Sequence, residues 1–267
     1  MMTNGNRRAS GHLMLINPER VFYAGLLGRP RKRISGGLNI YVPLQGTLTV
    51  DAGQPFTTSD VAVVQPYVSH SVGCDGLSVV CLVIEPETIS AQAAQALTTR
   101  CGGENAAMFA AHIRATHRDL HLHGQREGFS TAEFDRLIFG ELLESRRLDR
   151  RIRRAGTALG SGSGARMTAA DCAALAGLSP SRFLHLFKDD TGVSFRAFRA
   201  WKRARHLLHF VNEDLNLAHL AQQIGYPDST HFSHSIRRFY GLKPRAIFSG
   251  SRDLAIYRSG AWQTDAA

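Results

Sequence analysis

Apolar positions change their period along this chain. From residue 38 to about 85 they fall in short runs and alternations: Leu38–Leu44, Gly46–Val50, Val61–Val64, His70–Val72 and Ser78–Ile84. Asp51-Ala52-Gly53 can turn between two of these, and Pro66 breaks another. Short strands at this spacing predict an all-β barrel or sandwich. From Ile89 the period becomes helical. Ile89–Arg100 is rich in Ala and Gln, Ala106–Leu120 predicts a second helix, and Ser130 with Glu133 three residues on predicts a capped third. Phe134, Leu137, Ile138 and Leu142 recur on one face of that third helix. The stripe predicts packing on the barrel or, equally, contact with a second copy of the chain.

Beyond Met167 one pattern occurs twice. Asp171–Phe195 and Leu220–Pro244 each hold a short apolar helix, a glycine turn, a second helix with an aromatic stripe and a glycine stop. Thr168 and Asp171 form a capping-box start, Gly177 is placed for a left-handed stop, and Ser179-Pro180 restarts a helix. Phe183, Leu186 and Phe187 make one buried stripe; Phe232, Ile236 and Phe239 make the other. Two helix-turn-helix units follow, at about 168–190 and 217–240. A purely structural helical repeat would produce the same pattern, but charge argues against it. The chain carries +10, of which +9 falls from Asp149 onward and +1 before it. A basic half beside a near-neutral half predicts a duplex-DNA binder with a second task.

On these residues the C-terminal region resembles the DNA-binding domain of the AraC/XylS transcription regulators. Phe195–Leu208 is similar to that family's helix connecting its two units, and Ile224–Phe232 with Gly241-Leu242-Lys243-Pro244 is similar to its second-unit signature. The resemblance implies base contacts from Ser181, Arg182, Leu184 and His185 in the first unit. In the second it implies Ser229, Thr230, His231, Ser233 and His234. His185 and His234 stand where relatives often carry Arg, so base preference does not transfer. Lys188, Arg237 and Arg238 are expected on phosphate, positioning rather than reading. Leu148–Leu159 looks like the domain's opening helix, and the run Gly160–Gly164 a loop inside the domain.

The strand order of the N-terminal half resembles the cupin-like sensor domain of many such regulators. The expected organisation is a multidomain chain: a cupin-like all-β barrel at 1–86, a helical linker or dimerisation segment at 87–147, and an all-α double helix-turn-helix domain at 148–258. A small-molecule effector is expected inside the barrel, with Arg33, Asn39, Tyr41 and His70 as inward-facing candidates. The basic run Arg29, Arg31, Lys32, Arg33 could meet an anion, though a solvated loop has the same composition. Phe134, Leu137, Ile138 and Leu142 are the dimer candidates.

Enzymatic cupins need several His and a carboxylate on a metal, and only His70 is in place, so no metal, cofactor or catalytic residue is expected. His112, His117, His121 and His123 fit no ligand spacing, and the four Cys form no Cys-x-x-Cys pair. No signal peptide and no membrane-length apolar run is visible, which points to a reduced cytoplasmic compartment. The sequence thus predicts an AraC-type regulator whose partners are operator DNA, RNA polymerase, an effector and a second copy of itself. The alternatives are a barrel that only dimerises and a cupin enzyme fused to a DNA-binding domain.

Overall fold

The computed structural model describes residues 12–26, 28–29, 31–123, 129–160 and 167–259. Nine strands open the chain: β1 (Leu13–Ile16), β2 (Arg20–Leu26), β3 (Arg33–Ile34), β4 (Leu38–Pro43), β5 (Leu48–Asp51), β6 (Pro55–Thr58), β7 (Ala62–Val64), β8 (Ser69–Cys74) and β9 (Ser78–Ile84). Three helices follow, α1 (Ala91–Arg100), α2 (Ala106–His123) and α3 (Thr131–Phe139). The C-terminal half contains α4 (Arg150–Gly160), α5 (Ala169–Ala176), α6 (Pro180–Thr191), α7 (Phe195–His206), α8 (Leu217–Gln223), α9 (Ser229–Tyr240), α10 (Pro244–Gly250) and a last strand, β10 (Ala255–Arg258). Beyond Gly160, the Gly/Ser run lies outside the described residues.

The strands form a six-stranded sheet, in the order β10-β1-β2-β9-β4-β7, and a four-stranded sheet, β3-β8-β5-β6. Strand β4 is buried at every position, because its sheet is covered on both faces. Leu38, Ile40, Val42, Leu82 and Ile84 face α1–α3, while Tyr41 and Val79 face Leu48, Val50 and Val72 of the second sheet. On the same side as the second sheet, Met14, Ile16, Val21 and Val83 face the C-terminal half.

Two expectations change here. The face of α3 is spent on the sheet: Phe134 and Ile138 are fully buried in the core shared with it, and Leu137 packs at its edge. A bidentate pair fixes this docking, Arg20 Nε to Asp135 Oδ1 at 2.8 Å and Nη2 to Oδ2 at 3.1 Å. An apolar sheet face needs a cover, and α3 supplies it, so Phe134 and Ile138 are not surface residues; Leu142, beyond the helix, remains exposed. Second, the C-terminal half is not all helical. Strand β10 pairs in parallel with β1, from Leu13↔Ala255 to Ile16↔Arg258, and so covers the open edge of the N-terminal sheet.

The helix-turn-helix units end and start where local chemistry requires. Thr168 and Asp171 make a reciprocal capping box, and Gly177 closes α5 in the left-handed region at φ 65°. Ser179 caps α6 with Pro180 at its first position, and Asp228 caps α9. In the first unit Phe183, Phe187, Phe195 and Phe198 pack with Ile152, Cys172 and Ala173. In the second, Phe232, Ile236 and Phe239 pack with Trp201, Leu220 and Ile224.

Candidate nucleic-acid interface and ligand site

Burying one stripe of α6 leaves the opposite face in water. Ser181, Arg182, Leu184, His185 and Lys188 are all exposed on it. On α9, Ser229, Thr230, His231, His234, Arg237 and Arg238 are exposed and Ser233 is half-buried. Each set therefore shares the outward side of its helix, as major-groove docking needs. His185 Nδ1 lies 2.8 Å from the Ser181 carbonyl, so Nδ1 carries the proton and Nε2 points its lone pair outward. Neutral His185 thus offers an acceptor, suited to the amino groups of cytosine or adenine rather than to guanine. His231 Nδ1 lies 2.7 Å from Asp228 Oδ2, within the helix cap. The hydrogen bonds from His231 and Thr230 hold the Asp228 carboxyl below its usual range.

Behind α9 lies a junction that sequence reasoning missed. Trp201 of α7 is fully buried and donates Nε1–H to the Glu85 carboxylate, at 3.1 and 3.0 Å. Lys202 Nζ lies 2.6 Å from both Glu85 and Glu87. Burial pulls the Lys202 ammonium down, but the two carboxylates outweigh it and raise it. Burial raises the Glu87 carboxyl against the opposing pull of Lys202. Arg205 Nε sits 2.7 Å from Glu85 Oε1, off the hydrogen-bond line, while its Nη2 donates to the carbonyls of Asn17 and Arg20. Gly36 makes room for the indole, since a Cβ there would lie 2.3 Å from Trp201 Cγ. The signals were faint: a Trp set among Arg and Lys, and a Gly-Gly pair before β4.

The four effector candidates divide. Arg33 is paired across strands with His70. Tyr41 Oη lies 2.9 Å from His70 Nε2, and His70 Nδ1 lies 2.9 Å from the Val68 carbonyl. His70 therefore protonates Nδ1 and accepts from Tyr41. Burial lowers its pKa, with Arg33 adding to the effect, so the ring is neutral. Asn39 turns its amide onto the Gly37 carbonyl at 2.7 Å. The structure brings Arg33, Tyr41 and His70 together, and Cys81, not foreseen, stands beside them, its thiol pushed up to about 12 by burial. Among the described residues no three His, Cys, Asp or Glu gather as a metal site, and no helix is long and apolar enough to cross a membrane.

The model of a helix-turn-helix domain family matches residues 172–249. Among solved structures the chain is similar to ToxT from Vibrio cholerae O395, with 11% identity over 87% of this chain and 98% of that one and a TM-score of 0.54. It is also similar to unsaturated fatty acid bound wild-type ToxT from Vibrio cholerae strain SCE256, with 12% identity over 86% and 94% and a TM-score of 0.51. The C-terminal domain of AraT, a response regulator from Geobacillus stearothermophilus, is 22% identical over 39% of this chain and 87% of that one, with a TM-score of 0.36. No curated protein sequence matches. Two helix-turn-helix units joined by one helix and fused to a two-sheet β domain are thus a fold this chain has in common with ToxT. The match over 172–249 makes that stretch a helix-turn-helix domain.

Proposed function

We propose that the chain is an AraC-type transcription regulator that responds to an effector, with 148–258 reading DNA and the β domain sensing a small molecule beside Arg33, Tyr41 and His70. Helices α6 and α9 enter successive major-groove segments. Ser181, Arg182, Leu184 and His185, with Ser229, Thr230, His231, Ser233 and His234, face base edges; Lys188, Arg237 and Arg238 face phosphate. The observation that carries the reading is the continuity of the second unit with the sensor. Its core includes Met14, Ile16, Val21 and Val83, and the strand bearing Arg33 runs against the end of α9. A Cβ on Gly241 would stand 3.1 Å from the Arg31 carbonyl. A ligand that prefers one arrangement of this junction shifts the balance between DNA-binding states. The chain acts in the cytoplasm as a homodimer that contacts RNA polymerase, its dimer surface lying outside the buried face of α3.

The test is selection of DNA sites by the full-length protein, followed by affinity measurement at several salt concentrations. Arg182→Ala and Thr230→Ala should change preference at a few base positions. Arg237→Ala should weaken all sequences alike and flatten the salt slope by about 1. Loss of base preference on Arg237→Ala, with the salt slope intact, would reverse the assignment.

A further inference from the structure

Ser181, Leu184, His185 and Lys188 stand at i, i+3, i+4 and i+7 of α6, so they form one exposed stripe beside the buried one. Leu184 and His185 occupy its middle, between Ser181 and the Lys188 ammonium. Successive Cα atoms are about 3.8 Å apart, close to the rise of about 3.4 Å between base pairs, so these two side chains reach adjacent pairs. Leu184 is apolar yet 41% exposed, among outward neighbours that are all polar or charged. Such a side chain gains when apolar surface covers it. In the major groove only thymine presents a methyl group.

His185 is pinned by its own helix. Its Nδ1 donates to the Ser181 carbonyl at 2.8 Å, which leaves Nε2 of the neutral ring as an acceptor without a proton. Seen from the major groove, cytosine N4 and adenine N6 offer donors, guanine offers two acceptors, and thymine O4 is an acceptor. An acceptor set against guanine or thymine O4 would lose its water and meet a lone pair, so the wrong base is rejected as well as the right one bound. An Arg in this place donates only and would make the opposite choice.

We propose that the first unit reads a thymine and, beside it, a base with an exocyclic amino group, cytosine or adenine. Leu184 covers the thymine methyl, and His185 Nε2 accepts from the amino group. This rests on the reading of α6 as a recognition helix and names the bases that it takes. The bond to the Ser181 carbonyl selects the tautomer; without it the ring could turn a donor outward and take guanine as well.

The experiment is selection of duplex DNA by the full-length protein at pH 8, where a free imidazole is neutral, repeated with His185→Ala, His185→Arg and Leu184→Ala. Both side chains are exposed, so the variants keep the core of the unit. The position whose preference vanishes in His185→Ala should be adenine or cytosine for the unaltered protein, with guanine there binding about tenfold more weakly. His185→Arg should turn that position to guanine. The adjacent position, released by Leu184→Ala, should be thymine. Deoxyuridine in its place removes one methyl and should weaken the unaltered protein about fourfold, while Leu184→Ala should not tell the two apart. Guanine at the His185 position, no position responding to His185→Ala, or His185→Arg keeping adenine or cytosine overturns the proposal for His185. Equal binding of thymine and deoxyuridine overturns it for Leu184. A selected site that responds to Thr230→Ala but to neither of these residues keeps the regulator reading and removes this inference; a protein that selects no sequence removes both.

Discussion

In the first helix-turn-helix unit, Phe183 and Phe187 pack on α4 and the start of α7, and every residue of that core lies C-terminal to Asp149. In the second, Phe232, Ile236 and Phe239 share their core with Trp201 and with Met14, Ile16, Val21 and Val83 of the β domain. The two units repeat one pattern of helix, turn and aromatic stripe and are attached differently. One keeps its apolar core within the C-terminal half. The other shares its core with the β domain, so its stability depends directly on that domain.

The largest contrast should come from the aromatic centres. Phe187→Ala and Trp201→Ala should each destabilise by about 3–5 kcal/mol, the usual range for deleting a buried aromatic. Hydrogen exchange should show Phe187→Ala opening α5 and α6 alone, and Trp201→Ala opening α8, α9 and the β10–β1 pairing together. Gly36→Ala, approached from the other side, should reproduce the second pattern at about 1–3 kcal/mol, because its methyl meets the indole. If Trp201→Ala left β10 protected, the two domains would not share a cooperative unit.

Acid should separate the units next. Burial, and then the Arg205 charge, lower His206 from 6.5 to about 4 and His209 to about 2. A folded value below the unfolded one means the unfolded chain takes the proton first. The stability these rings contribute is present above about pH 6.5 and drains away as pH falls towards 4 and below. At pH 5 the loss is on the order of 2 kcal/mol per imidazole. Among the described residues the first unit has no buried histidine, its His185 being exposed. Exchange protection measured at pH 7 and pH 5 should therefore fall in α7–α9 before α5–α6, and His206→Leu should flatten the difference.

The helix caps should show no contrast. Ser179 caps α6 and Asn216 caps α8, each through its side-chain oxygen. Ser179→Ala and Asn216→Ala should each cost about 1 kcal/mol in chemical denaturation. Unequal losses would mean that attachment to the β domain reaches even local hydrogen bonds. The smallest expected effect is on DNA. Lys188→Ala and Arg238→Ala should each remove about one unit of salt slope, a change of a few-fold in affinity between 50 and 200 mM salt by the same relation. A larger loss for Arg238→Ala would mark its neighbourhood with Tyr67, Glu85 and Glu87 as part of the junction.

The helix-turn-helix units were legible because their determinants are local. Thr168 with Asp171, Gly177, Ser179-Pro180 and Asp228 act within a turn of where they stand, and the aromatic stripes show their period in a dozen residues. Strands β1 and β2 were harder. Leu13–Ile16 is a continuous apolar run with no alternation, because both faces of its sheet are covered, and such a short run does not announce its type. Of the ligand candidates, Arg33, Tyr41 and His70 do converge. Asn39 has its amide turned to the backbone, and Cys81 entered the site only through the register of β9 against β4.

Sequence alone determined the class of this protein: a basic double helix-turn-helix behind a strand-rich half, with its caps, stops and outward-facing side chains. Tertiary structure decided how the halves are joined. Ala255–Arg258 is a strand because β1 offers it an open edge, and the stripe on α3 is core because the sheet has an apolar face to cover. Glu85 meets Trp201 across 116 residues of chain, and Arg33, Tyr41 and His70 meet from three different strands. Helix periods and caps are set by neighbours in sequence. Pairing a carboxylate with an indole depends on distances that only packing creates.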